Sequence, residues 1–166
     1  MTIIVPFDGS VLARSALCRA VEFGVALEET VLAVSVIPVG NREYARDRGW
    51  IGPTDEFEIG PIVESLYTQV THVAPRAEFR RILVDRYAPP GTIANRIRRF
   101  AKAHDASLVC IGSDNAGHMV TSLGSVGGSV AADHAYDVVI VKDRTHCTAV
   151  SEPESKPEQR QTLREN

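Results

Sequence analysis

An open, parallel α/β sheet with helices on both faces is the architecture this sequence predicts, and three observations predict it. Short strand-like runs recur five times, and the first two, Thr2 to Phe7 and Val31 to Ile37, are nearly continuous in apolar residues rather than alternating. That pattern belongs to parallel strands covered on both faces. Between the runs lie segments with apolar residues three and four positions apart, the spacing of amphipathic helices. The resulting order, βαβ-αβ-αβ-αβ, calls for parallel pairing through right-handed crossovers.

Each element has a local cause. Thr2 to Phe7 is rich in β-branched residues, and Asp8-Gly9-Ser10 then supplies turn and N-cap chemistry. Ala13, Ala16, Leu17, Ala20, Val21, Gly24 and Leu27 give the first helix a face of small side chains suited to close packing. Val31 to Ile37 is the second strand, and Pro38 is expected to end it. Residues 39 to 58 show glycines, Pro53 and mixed charges without periodicity, which predicts a long surface loop near a ligand site. A helical stripe follows from Pro61 to Val73, with proline acceptable in a first turn. Glu78 to Val84 reads as the third strand, and Tyr87 to Gly91 breaks the pattern. Thr92 is expected to cap a helix whose inner face is Ile93, Ile97, Phe100 and Ala101. Ser107 to Ile111, a loop to Leu123, a helix from Ser125 to about Asp133 and a strand from Asp137 to Val141 complete the domain.

Composition narrows the function classes. The chain has 166 residues, 44% hydrophobic and 23% charged, with a formal net charge of -3. These values fit one globular domain over residues 1–142, followed by a polar, disordered or loosely attached tail over 143–166. No apolar run approaches the ~20 residues that cross a bilayer, and the mild charge favours neither membrane nor nucleic acid. The opening residues carry no secretory pattern, so the expected location is cytoplasmic. Cys18, Cys110 and Cys147 are odd in number and widely separated, and are expected as reduced thiols.

The run Gly124-Ser125-Val126-Gly127-Gly128-Ser129 leads into Val130-Ala131-Ala132. Glycines admit close approach of a ligand to backbone, while a helix's first turn offers unpaired N–H groups and a positive dipole end. Together they form an anion cradle suited to phosphate. The same residues also serve as a flexible turn before a helix, with no ligand.

Three stretches, taken together, resemble the universal stress protein family over residues 2–142. They are Ile3 to Ser10 with Ala13, Ala16 and Leu17; Val109-Cys110-Ile111-Gly112-Ser113; and Leu123-Gly124-Ser125-Val126 with His134-Ala135 and Val138 to Val141. The resemblance implies a Rossmann-like, adenine nucleotide alpha-hydrolase-like sheet of five strands in the order 3-2-1-4-5. Nucleotide-binding members of that family carry G-x2-G-x9-G-[ST]. Here Gly112 matches the first glycine and Gly124-Ser125 the last pair, but the spacer is one residue shorter. Asp114 or Asn115 stands where the middle glycine falls, and Asn tolerates the left-handed backbone better.

Carried over position by position, the resemblance implies ATP with Mg²⁺ as the cofactor. Asp8 would meet the ribose or the ion, the backbone of Val36 the adenine, and Pro6 and Ile111 the base or sugar. Gly112, Gly124, Ser125 and Val126 would serve the phosphates. Each residue has a purely structural alternative: Asp8 and Ser10 as turn and cap, Val36 as core, Gly112 as a strand exit, Ser125 as a helix cap. The resemblance further implies a homodimer through the last strand, with Tyr136 to Lys142 as its edge, and an unidentified protein partner. The function expected is a regulatory module that binds ATP and acts through dimerisation or partner binding. The alternatives are a nucleotide-free interaction module of the same fold and, third, a slow ATP hydrolase.

Other constellations carry less. Arg76, Arg80, Arg81, Arg86, Arg96, Arg98, Arg99 and Lys102 follow strand and helix periods that scatter them over several faces, as a solvated surface does, rather than gathering them into one nucleic-acid site. The five histidines show no zinc spacing, and no nucleophile elbow is present, so no catalytic residue and no metal ligand is assigned.

Overall fold

The structure, a computed structural model, describes residues 1–89, 91–112 and 126–142, the side chains of 126–128 excepted. Five strands, β1 (Thr2–Pro6), β2 (Thr30–Val39), β3 (Glu78–Asp85), β4 (Ala106–Gly112) and β5 (Asp137–Val141), form one sheet in the order β3-β2-β1-β4-β5. Every pair is parallel, as the continuous apolar runs require. The helices are α1 (Val11–Leu27), α2 (Arg42–Asp47), α3 (Ile59–Val73), α4 (Thr92–Ala103) and α5 (Val126–Ala131). The order and class are those expected from the sequence. The tail over 143–166 and the loop to Ser125 lie outside the described residues.

Strand alternation divides the core. Ile3, Val5 and Phe7 of the first strand segment pack with Leu17 of α1 and with Ile62, Leu66 and Val70 of α3 on one face. Ile4, Val34, Val36, Val109 and Ile111 pack with Ala94, Ile97 and Ala101 of α4 and Val130 of α5 on the other. Each large side chain fully buried there contributes roughly 1.5–3 kcal/mol through removal of apolar surface from water.

α1 starts where the sequence indicates. Ser10 is its N-cap, with its hydroxyl oxygen accepting the Ala13 N–H at 3.1 Å. At its far end a Cβ on Gly24 would stand 2.8 Å from Val31 Cγ2, so the absent side chain lets helix and strand approach.

Four local expectations need correction. β2 does not stop at Pro38 but runs to Val39, with Pro38 opposite Val84 of β3. The Val34 carbonyl accepts the Phe7 N–H on the β1 side, so by alternation Pro38's missing N–H also faces that side. β1 has already ended there, and the ladder loses nothing. Next, the stretch read as loop contains α2, capped by Asn41, whose side chain accepts the Tyr44 N–H at 2.9 Å. Thr92 is the first residue of α4 rather than its cap; Gly91 precedes it in the left-handed region at φ 85°, and the Thr92 hydroxyl donates to the Pro89 carbonyl. Finally, Cys18 is held in a disulfide while Cys110 is a free thiol, against the expectation of three reduced cysteines. Spacing along a chain does not reveal nearness in space.

A buried carboxylate ties the second helical layer together. Asp133 Oδ2 lies 2.9 Å from both Arg98 Nε and Lys102 Nζ of α4, and Oδ1 accepts the Ala135 N–H at 3.0 Å. The bonds from Lys102 and Arg98 hold its carboxyl well below the usual carboxylate range. Beside it the Tyr136 hydroxyl donates to the Val130 carbonyl at 2.9 Å, and burial, with the Asp133 charge, pushes that phenol up to about 12. Among the described residues no helix is long and apolar enough to cross a membrane.

Candidate functional site

Chain order reverses between β1 and β4. From β1 the chain builds outward through β2 to β3, then crosses back to the other side of β1. Open α/β sheets bind ligands at the carboxyl ends of the strands beside such a point. Five of the eight candidate residues lie along that edge within the described structure: Pro6 at the end of β1, Asp8 just after it, Val36 in β2, and Ile111 and Gly112 at the end of β4. Gly124 and Ser125 lie outside the described residues, and Val126 opens α5.

Strand lengths shape this edge. β1 ends opposite Val34, whereas β2 and β3 continue together to Val39 and Asp85. The β2–β3 pair therefore overruns β1 by five residues, roughly 16 Å at ~3.3 Å per residue. Alternation puts the Val36 N–H and C=O on the same side as the Val34 carbonyl, above the end of β1. The Val36 and Ile111 side chains are buried in the core under α4, so at the edge these residues present backbone. Pro6 is half-buried and follows Ile4 onto that same face.

Gly112 has a packing cause of its own. A Cβ there would stand 2.2 Å from the Leu12 carbonyl oxygen and 2.8 Å from the Ala13 nitrogen. The first turn of α1 thus sits directly on the backbone where β4 ends.

The turn after β1 is built by its side chains. Asp8 Oδ1 accepts the Ser10 N–H at 2.9 Å, which aligns Ser10 for its capping role. Gly9 between them has φ 80°, a region that glycine enters at no steric cost. Both structural alternatives for Asp8 and Ser10 are therefore realised. Below, the buried Ser35 hydroxyl donates to the Phe7 carbonyl at 2.6 Å, fixing the turn to the overrunning part of β2.

Two residues that the sequence reading passed over complete the turn's surroundings. The Trp50 indole donates to the Asp8 carbonyl at 2.8 Å, and Arg48 Nη1 stands 3.8 Å from Asp8 Oδ2. Tyr44 of α2 organises both, with its ring edge-on to Trp50 at 5.5 Å and the Arg48 guanidinium 4.6 Å over its face. The available signal was the chain's single tryptophan, six residues after a tyrosine in a segment that Asn41 could cap.

This arrangement suits binding better than covalent chemistry. The Ser10 oxygen is committed to its cap, and burial pushes the Cys110 thiol up to about 12, with Arg19 pulling slightly against it. Among the described residues no three His, Cys, Asp or Glu side chains cluster to hold a metal ion.

The sequence model described as Universal stress protein family matches residues 1–142. The chain belongs to the universal stress protein family. A universal stress protein solved in complex with cAMP superposes with a TM-score of 0.56 at 19% identity, covering 86% of this chain and 97% of that one. The universal stress protein from Archaeoglobus fulgidus gives 0.55 at 24%, covering 86% and 93%. Its complex with dAMP gives 0.53 at 24%, covering 86% and 98%. At these identities the likeness is one of fold. A sequence search among curated proteins gave no match.

Proposed function

We propose that this universal stress protein domain is a regulatory module that binds an adenine nucleotide across the carboxyl edge of β1, β2 and β4, with ATP as the ligand. The observation that carries this reading is the step in strand reach at the strand-order reversal, where the β2–β3 pair overruns β1 by five residues and the Val36 backbone stands beyond the end of β1, near the Asp8 turn. The complexes of fold neighbours with cAMP and dAMP support it.

In this reading adenine meets the Val36 backbone, Pro6 and Ile111 flank the base or sugar, and Asp8 faces the ribose. Gly112, Gly124, Ser125 and Val126 receive the phosphates through backbone N–H groups and the Ser125 hydroxyl. The described residues fit the base and sugar end. They do not build a protein-held Mg²⁺ site, because the one carboxylate present, Asp8, already faces Arg48 and Ser10. Mg²⁺ would arrive on the phosphates and offset their charge there. Occupancy is coupled to homodimerisation through β5, an edge strand of the sheet, or to choice of a protein partner.

Calorimetric titration with AMP, cAMP and ATP, each with and without Mg²⁺, tests the reading. Saturable binding is expected, and Gly124→Val is expected to weaken ATP about tenfold or more by filling the phosphate approach. No saturable heat at millimolar nucleotide would end it. That outcome would favour a nucleotide-free interaction module, a second reading supported by the prior engagement of both Asp8 carboxylate oxygens.

A further inference from the structure

Behind the Asp8 turn, on the side of the sheet that carries α1 and α3, lies a polar cavity of about 100 Å³. Asp8, Arg14 of α1, Arg48, Trp50, and Ser65 and Gln69 of α3 contribute to its wall. Its acceptors are engaged. Asp8 Oδ1 takes the Ser10 N–H at 2.9 Å, Oδ2 faces Arg48 at 3.8 Å, and the Asp8 carbonyl takes the Trp50 indole at 2.8 Å. Gln69 Oε1 takes an Arg14 N–H at 3.2 Å, and Ser65 Oγ takes the Gln69 amide at 3.3 Å.

Its donors are in surplus. A guanidinium offers five N–H groups. Arg14 spends one on a neutral amide, and among the described residues no carboxylate pairs with it. Arg48 has one carboxylate neighbour, at a distance beyond a hydrogen bond. The Ser65 hydroxyl accepts from Gln69 and keeps its own proton to give. Two cations against one anion leave the wall net positive. The complement of such a space is a small group made of acceptors.

We propose that this cavity is an oxyanion site, taking one tetrahedral phosphoryl group between Arg14 and Arg48. The volume accommodates one phosphoryl group. Forked guanidinium donors match phosphate oxygens in pairs, which selects phosphate over a spherical ion such as chloride. Gly9 keeps Gln69 in place: a Cβ on it would stand 3.0 Å from Gln69 Oε1, the atom that orients Arg14. The site does not rest on the nucleotide reading, with which it shares Asp8 as a wall. Its phosphoryl group comes either from free phosphate or from the end of a bound nucleotide.

Trp50 is the chain's single tryptophan and lines the cavity, so its fluorescence reports occupancy. Inorganic phosphate is titrated into the full chain at ionic strength held constant with chloride, then AMP with and without saturating phosphate. Phosphate is expected to give a saturable change that chloride alone does not. Arg14→Gln and Arg48→Gln are each expected to raise its Kd about tenfold or more, while the exposed Arg76→Gln leaves it unchanged. Both site arginines are exposed, so circular dichroism of the variants should match the parent chain. Competition between AMP and phosphate assigns the group to the nucleotide, and independent binding assigns it to the free anion. No saturation at millimolar phosphate, or Kd values in both arginine variants equal to the parent's, overturns the proposal. Failure of AMP, cAMP and ATP alike with phosphate binding intact overturns the nucleotide reading alone.

Discussion

The Trp50 indole and the Asp8 carbonyl meet at 2.8 Å across forty-two residues of chain. This bond joins the segment after α2 to the turn that ends the first strand. The contact is partly buried, so removing the donor leaves a carbonyl with incomplete replacement by water.

Trp50→Phe keeps an aromatic ring beside Tyr44 and removes the N–H. A loss of about 1–2 kcal/mol is expected, including some ring packing. Urea denaturation followed by circular dichroism measures it. An unchanged midpoint would mean that the segment docks through its rings alone.

Gly112→Ala tests the seating of α1 on β4. The added methyl would stand 2.2 Å from the Leu12 carbonyl oxygen, which is backbone and cannot swing aside. Overpacking of this kind costs typically 1–3 kcal/mol, occasionally more. The variant is expected to melt well below the parent chain in the absence of any ligand. Equal melting temperatures would show that the first turn of α1 yields freely.

Asp133 makes stability depend on acid. Its folded carboxyl is held below its ordinary value by Lys102 and Arg98, so the contribution is complete above the unfolded value and fades as pH falls toward the folded one. Asp133→Asn is expected to be less stable than the parent at pH 7. The gap should stay level down to about pH 5 and narrow below about pH 4. Thermal melts across that range give the comparison, and a gap constant to pH 2.5 would contradict the ionic account.

Cys110 should be inert in the native chain. It is fully buried in β4 and its thiol is pushed up to about 12, so almost no thiolate exists at neutral pH. Alkylation at pH 8, mapped by peptide mass, is expected to leave Cys110 unmodified until urea is added. Rapid native labelling would require β4 to open locally.

The sheet was legible because its signals are local. Ile3 to Val5 and Val31 to Val34 are apolar without alternation, and strands buried on both faces need nothing else to announce themselves. Ser10 as the cap of α1 could be read from a turn followed by a helical stripe. Pro38 misled because proline's cost depends on which neighbour lacks a bond, and only the early end of β1 makes that cost vanish. Arg48 and Trp50 escaped notice for a related reason. They act on Asp8 from some forty residues away, through contacts that leave no period in the chain. The family resemblance supplied Pro6, Val36 and Ile111; nothing in their own spacing separates them from ordinary core residues.

Under the proposed nucleotide reading, the uneven reach of the strands also decides how a captured ligand is handled. With β2 and β3 overrunning β1 beside the proposed base end, a linker attached to adenine would meet the two strands, whereas one attached to the terminal phosphate would lie on the other side of the nucleotide from them. Resins of the second kind should retain the protein from dilute solution, and resins of the first kind should let it pass.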